Sequence, residues 1–166
     1  AHDQKEALSI ADRLAVLDKG RLLQVGAQQD VYTRPRNRFV AQFIGETTFV
    51  EARVRAVRDG LAEVDTACGA WTAAAREKFE AGQAVWLSIR PEAVQLHTDR
   101  TAGQNVFAAH LHGTVYLGEV AQHQVELSGG ISLKALETRP RQVARDGERA
   151  ETRIYVDPVD VQILTE

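Results

Sequence analysis

Ile89-Arg90-Pro91-Glu92-Ala93-Val94-Gln95-Leu96 and Val156-Asp157-Pro158-Val159-Asp160-Val161-Gln162-Ile163 share one pattern: aliphatic, charged, Pro, two residues, then Val-Gln-aliphatic. Each copy follows an apolar strand with a Gly turn before it, at Gly82 and at Gly147. Upstream, Phe49 to Val57 resembles Phe107 to Val115 in pattern. The repetition predicts two similar small β units of about 55 to 60 residues each, neither able to bury a stable core alone, packed against one another.

The segments around the two copies read as strands. Val50, Ala52, Val54 and Ala56 alternate, and Leu61 to Val64 follows an Asp59-Gly60 turn signal, which makes a hairpin. Ala73 to Phe79 is predicted as a helical turn broken at Gly82, and Val85 to Ile89 as a strand closed by Arg90-Pro91. Thr98 to Gln104 is a polar loop. Val106 to Leu117, Ala121 to Leu127, Ile131 to Leu136, Arg153 to Val156 and Val161 to Leu164 read as strands, with Arg139 to Arg149 a charged connection.

The first 45 residues have a different texture. Asp3-Gln4-Lys5-Glu6 has capping-box form, and Ala7, Ile10, Ala11 and Leu14 fall at helical spacing, so the pattern predicts a helix over 3–13. Leu14 to Leu17 and Leu22 to Val25 are apolar runs joined by Asp18-Lys19-Gly20, a hairpin signal. Residues 27–33 allow one or two helical turns, ended by Arg34-Pro35 because Pro35 disfavours an α conformation at Arg34. Phe39, Val40, Phe43 and Ile44 predict a short helix, with Gly45 where a left-handed cap would sit.

Composition excludes several function classes. The chain has 166 residues, 44% of them apolar, and a formal net charge of −3 with both signs mixed, so there is no basic footprint for nucleic acid. Aromatics are 6% and are not interleaved with Lys and Arg, which removes a base-stacking surface. No apolar run approaches the roughly 18 residues of a membrane span, and no signal-peptide pattern opens the chain, so it reads as soluble and not exported. Cys68 is the one cysteine, which excludes an internal disulfide; it reads as a partly buried free thiol. The absence of Met and a start in mid-motif suggest part of a longer protein. His110 and His112 are two apart on a predicted strand and could share a face, but with no third ligand nearby in sequence they read as solvated strand histidines; His97 and His123 read as isolated. Trp71 and Trp86 are assigned to cores or an interface.

Residues 2–45 resemble the end of the nucleotide-binding domain of an ABC transporter ATPase. The residues that carry this are His2-Asp3-Gln4, Ala11-Asp12-Arg13, Gln24-Val25-Gly26, Tyr32-Thr33-Arg34-Pro35 and Phe39-Val40-Ala41-Gln42-Phe43-Ile44-Gly45. This ending resembles the binding-protein-dependent importer branch, where a transport-associated OB domain follows the ATPase domain. Residues 46–166, with their Arg90-Pro91-Glu92 box, are similar to that domain. The resemblance departs from the family at Ala27-Gln28, where Thr-Pro is frequent, which removes a capping hydroxyl and a preset first turn.

The expected fold is therefore mainly β: two OB-like small barrels in 46–166, preceded by a short α/β tail in 1–45. The resemblance implies that His2 is the switch histidine, which in the intact enzyme orients the attacking water at the γ-phosphate of ATP. ATP and Mg²⁺ would be held by the parent ATPase. These 166 residues contain no Gly-x-x-x-x-Gly-Lys-Ser/Thr, so no hydrolysis and no cofactor or metal is expected of them alone. Leu127-Ser128-Gly129-Gly130 spells the start of the ABC signature, but it lies after His2 and between alternating segments, and reads as a hairpin turn. The implied partners are a second ATPase subunit in a homodimer, transmembrane permease subunits, and a small-molecule or protein effector, with the protein peripheral on the cytoplasmic face of the cell membrane. The extended Gly45-Glu46-Thr47-Thr48 sequence and Val115-Tyr116-Leu117-Gly118 lean towards a polyamine-type importer. The rival reading is a stand-alone β module that binds a small ligand or oxyanion. Residues 1–26 are expected to be partly mobile or held by a neighbouring chain.

Overall fold

The first elements form a small α/β unit in a computed structural model that describes residues 4–140, 143–145 and 147–166. α1 (Gln4–Ile10) leads into an antiparallel hairpin of β1 (Arg13–Asp18) and β2 (Arg21–Ala27). Lys19 and Gly20 both have positive φ, 47° and 77°, the backbone twist that a two-residue hairpin loop requires. α2 (Gln28–Thr33) and α3 (Arg38–Ile44) follow. The Asn37 side chain accepts from the Val40 amide at 2.9 Å and so caps α3. Val16, Val31, Val40 and Ile44 bury one another, with Leu8, Leu14, Leu23 and Tyr32 packed around them.

Two expectations for this unit fail, each for a physical reason. The helix predicted over 3–13 stops at Ile10, which is 78% exposed, and Leu14 pairs with Gly26 in the hairpin instead. The helical spacing ran on into a strand because Leu14 fits both the helical series from Ala7 and the alternation with Val16. Asp3, and with it the capping box, lies outside the described residues. Gly45 is extended (φ −177°, ψ 167°) and not a left-handed cap. A Cβ there would stand 3.0 Å from a guanidinium nitrogen of Arg90 and 3.3 Å from the Tyr32 ring, so the position lacks a side chain for close approach.

Beyond Gly45 the chain is strand after strand: β3 (Thr48–Arg58), β4 (Leu61–Thr66), β5 (Gly69–Ala74), β6 (Ala84–Ile89), the 3-10 turn Pro91–Ala93 and β7 (Gln95–Leu96). The same series then repeats as β8 (Val106–Tyr116), β9 (Ala121–Glu126), β10 (Ser132–Glu137), β11 (Ala150–Tyr155), the 3-10 turn Pro158–Asp160 and β12 (Gln162–Leu164). Asp59 and Gly60 close β3 to β4 with φ of 52° and 75°, as their sequence predicts. The helical turn expected at Ala73 to Phe79 is absent: Trp71 and Ala73 alternate inward from β5, so strand period wins there. The long first strand of each unit carries a bulge, between Val54 and Ala56 in β3 and between Leu111 and Gly113 in β8, which bends the sheet towards closure.

The two units exchange their last strands. One five-stranded sheet has the order β12-β6-β3-β4-β5 and the other β10-β9-β8-β11-β7. β7, the end of the first unit, pairs with β11 of the second, and β12, the end of the second, pairs with β6 of the first. The repeated Pro-containing segments are the two crossovers. Each places its 3-10 turn in the seam of the opposite sheet: Pro158–Asp160 and β12 pack against β5, and Pro91–Ala93 and β7 against β10. One core accordingly runs through both sheets, joining Trp71, Leu87 and Ile89 to Leu111, Leu133 and Ile154. Each fully buried large side chain contributes about 1.5–3 kcal/mol, which neither half could accumulate alone.

Asn105 fastens one crossover. Its side-chain amide donates to the carbonyls of Thr72 at 2.7 Å and Val156 at 2.9 Å, and accepts from the Thr72 amide at 2.7 Å. The turns β4 to β5 and β9 to β10, equivalent in the two units, touch at Gly129. Among the described residues no helix is long and apolar enough to cross a membrane.

Candidate functional site

The two sequence boxes singled out above, Tyr32-Thr33-Arg34-Pro35 and Arg90-Pro91-Glu92, meet face to face at the junction of the α/β unit and the barrels. Arg90, at the end of β6, is 5% exposed. Its guanidinium lies 3.9 Å from the centre of the Tyr32 ring and donates to the carbonyls of Tyr32 (3.2 Å), Ala41 (3.4 Å) and Glu46 (3.3 Å). Tyr32 is in the last turn of α2 and Ala41 in the last turn of α3. One buried cation thus meets the negative ends of two short helices, where carbonyls lack intrahelical donors. Among the described residues no carboxylate pairs with Arg90 directly. The Tyr32 hydroxyl donates to Glu92, which closes the loop from box to box.

Burial pushes the Tyr32 phenol up to about 12; the hydrogen bond to Glu92 adds to this, and the Arg90 charge opposes it. Burial likewise lowers the Arg90 pKa, against the Tyr32 and Glu92 charges. Because the folded phenol titrates above its unfolded value near 10, its contribution to stability is complete below pH 10 and is lost as the pH rises through 12. Ultraviolet titration of the three tyrosines should therefore show one ionising near pH 12, and Tyr32→Phe should remove that step. Three tyrosines all titrating near 10 would contradict the burial of this ring.

Further contacts widen the junction. Arg76 and Gln162 both donate to the Thr33 carbonyl, at 3.0 and 2.8 Å. The Arg38 guanidinium lies 4.1 Å over the Trp86 ring. Gln24 holds the loop before α3, donating to the Arg34 carbonyl and accepting from the Arg36 amide, both at 2.9 Å. That is the structural use of the Gln24-Val25-Gly26 segment. Glu46 ties the linker to the second sheet through an ion pair with Lys134 and a 2.7 Å bond from Gln122, and the Lys134 contact is the main cause of its lowered carboxyl pKa. A cleft of about 950 Å³ opens beside this junction, lined among others by Arg34, Arg36, Arg76, Glu77 and Phe79.

The remaining sequence candidates scatter. His2 lies outside the described residues. Trp71 is fully buried against Phe107, with its indole N–H donating to Cys68 Sγ at 3.3 Å, whereas Trp86 lines the junction. Leu127 to Gly130 turns between β9 and β10, as the hairpin reading requires. His110 pairs opposite Glu126, but His112 is the extra residue of the β8 bulge, so the two do not keep the regular alternation that would put them on one face. His97 and His123, expected to be isolated, instead flank the Glu137 carboxylate. Nothing in their spacing announces this, because sheet closure brings them together. Arg90 itself was legible only as part of a box; its role needed α2 and α3 in place.

Residues 87–164 match the family model of the TOBE domain. The chain is 44% identical over 146 residues to the spermidine/putrescine import ATP-binding protein PotA of Pseudomonas fluorescens, covering 84% of this chain and 39% of that protein. It is 43% identical over 165 residues to PotA 1 of Pseudomonas aeruginosa, covering 96% of this chain and 43% of that protein. The chain spans about two fifths of the length of these curated relatives. Among solved structures, the cytoplasmic molybdate-binding protein ModG with molybdate bound aligns at a TM-score of 0.55 and 18% identity, covering 70% of this chain and 94% of that one. At that identity the likeness speaks for the fold alone. With the paired, curled sheets, the family match and the relatives in agreement, residues 87–164 belong to the TOBE-domain family, and the chain is similar over most of its length to the PotA-type ATP-binding proteins.

Proposed function

We propose that this chain is the regulatory part of an importer ATPase subunit, with polyamines the favoured cargo, and that it passes movements of the ATPase body to the barrels through the Arg90 junction. The observation that carries this reading is the Arg90 side chain, buried, stacked on Tyr32 and bonded to the ends of both α2 and α3. A rigid connection of that kind makes the barrels follow any rotation of the helices. In this reading residues 1–45 are the last part of the nucleotide-binding body and 46–166 the regulatory domain, which holds two ATPase subunits together, meets permease subunits through the complex, and receives a small-molecule or protein effector. The assembly would sit on the cytoplasmic face of the membrane. ATP and Mg²⁺ belong to the longer parent; the described residues supply no phosphate-wrapping loop, and no step of hydrolysis is assigned to them.

Sedimentation velocity on the 166-residue chain tests the proposal. A dimer that grows with concentration is expected, and a monomer at every concentration up to hundreds of micromolar would count against it. Trp86, under Arg38, gives a second readout at the junction. A saturable micromolar fluorescence response to molybdate or sulfate, without dimerisation, would favour the stand-alone binding module instead.

A further inference from the structure

The cleft beside the Arg90 junction collects three guanidinium groups and pairs none of them with a carboxylate. Arg34 and Arg36 stand on the loop between α2 and α3, and Arg76 just beyond β5, so the cations come from both walls, one in the α/β unit and one in the first barrel. Two exposed carboxylates, Glu77 and Glu166, share the lining, yet among the described residues none of the three arginines forms an ion pair. Arg76 donates to the carbonyls of Thr33 at 3.0 Å and Val159 at 3.4 Å, which are neutral acceptors, and Asp160 feels its charge without pairing with it.

The loop that carries Arg34 and Arg36 is pinned from below. Gln24, 8% exposed, donates to the Arg34 carbonyl and accepts from the Arg36 amide, both at 2.9 Å, and Pro35 between them is buried. The Arg38 amide donates to the Glu166 carbonyl at 2.8 Å, which ties the residues after β12 to the same loop. The two arginines thus keep their spacing of their own accord, and binding need not order the backbone beneath them. Gln162, which also lines the cleft, donates its Nε2 to the Thr33 carbonyl at 2.8 Å, while its Oε1 is buried without a hydrogen-bond partner.

We infer that this cleft binds a small polyanion, a molecule with two or more phosphate or carboxylate groups, held by charge-assisted bonds from Arg34, Arg36 and Arg76. At about 950 Å³ the cleft is far roomier than one tetrahedral oxyanion needs and has the size of a metabolite site. Its occupant bridges the α/β unit and the first barrel, and a hydroxyl on it would satisfy Gln162. This site does not depend on the dimer proposed above, since anion binding is read by heat and dimerisation by sedimentation.

Calorimetric titration of the 166-residue chain with pyrophosphate and with citrate at low salt tests this, with sulfate for comparison. Saturable binding of one or both polyanions is expected, about tenfold or more tighter than sulfate, with a rise in melting temperature. Selectivity for pyrophosphate assigns a phosphate ligand, and selectivity for citrate a carboxylate one. Arg34→Gln with Arg36→Gln should weaken binding about tenfold or more without unfolding the chain, because both residues are exposed and their guanidinium groups unpaired. Arg58→Gln with Arg139→Gln removes the same charge from exposed positions outside the cleft and should change affinity less than about twofold. Absence of saturable heat with both polyanions overturns the inference. So does sulfate binding as tightly, or an equal loss in the two double variants, which would show attraction by overall charge alone.

Discussion

Arg90→Ala is expected to lower the unfolding free energy by about 3 kcal/mol, read as a fall in the urea midpoint at unchanged m-value. Three carbonyls, that of Ala41 buried and those of Tyr32 and Glu46 partly so, lose a charged donor, each such bond being worth about 1.5–3 kcal/mol before the relief of burying the cation is deducted. The buried stack on Tyr32 adds about 2 kcal/mol to the loss. Arg90→Lys should recover less than half, since an ammonium reaches one carbonyl and cannot lie flat on the ring. The damage should be local: in Arg90→Ala, amides of α2 and α3 exchange faster while those of β8 keep their protection. An equal loss of protection throughout would mean that Arg90 serves the core generally and is not a junction.

Gly129→Ala should be at least as damaging, at about 3 kcal/mol or more. The position has φ of 70°, and a Cβ there would stand 2.2 Å from the carbonyl oxygen of Ala67 and 2.5 Å from its carbonyl carbon. Both obstacles are backbone, so no side-chain rotation relieves them and the two turns must separate. Gly130→Ala is the control. Its φ is 75°, nearly the same, yet nothing lies within 4 Å of its Cβ position, so it should cost only the roughly 1 kcal/mol of a left-handed residue. Equal thermal shifts for the two variants would show that the contact between turns contributes nothing.

These two sites show how far the sequence could be read. Leu127-Ser128-Gly129-Gly130 was recognisable as a turn from its flanking alternation, but the reason for glycine at 129 is a neighbour more than sixty positions away, Ala67. Gly45 shows the same thing from the other side: helix-end grammar predicted a left-handed cap, but the backbone is extended and glycine stands there because Arg90 and Tyr32 leave little room for a Cβ. Short hairpins such as Lys19-Gly20 and Asp59-Gly60 were legible because their φ preferences are local. α1 was overrun, because a few apolar residues satisfy helix and strand periods alike until hydrogen bonding to β2 decides. His97 and His123, far apart in sequence, gave no signal of their meeting at Glu137.

By itself the amino-acid sequence determined that this is a mainly β protein of two similar units, which is written in local period, and the motifs between His2 and Gly45 resemble those of importer ATPases. It also marked the Arg90-Pro91-Glu92 and Asp157-Pro158 segments as equivalent. Only the tertiary structure decided that those segments are crossovers, that each unit lends its last strand to the other, and that Arg90 binds two helix ends. The reason is physical: an extended strand with both edges available pairs equally well in either sheet as far as its own residues are concerned. The choice is made by the single core that forms when both crossovers are in place.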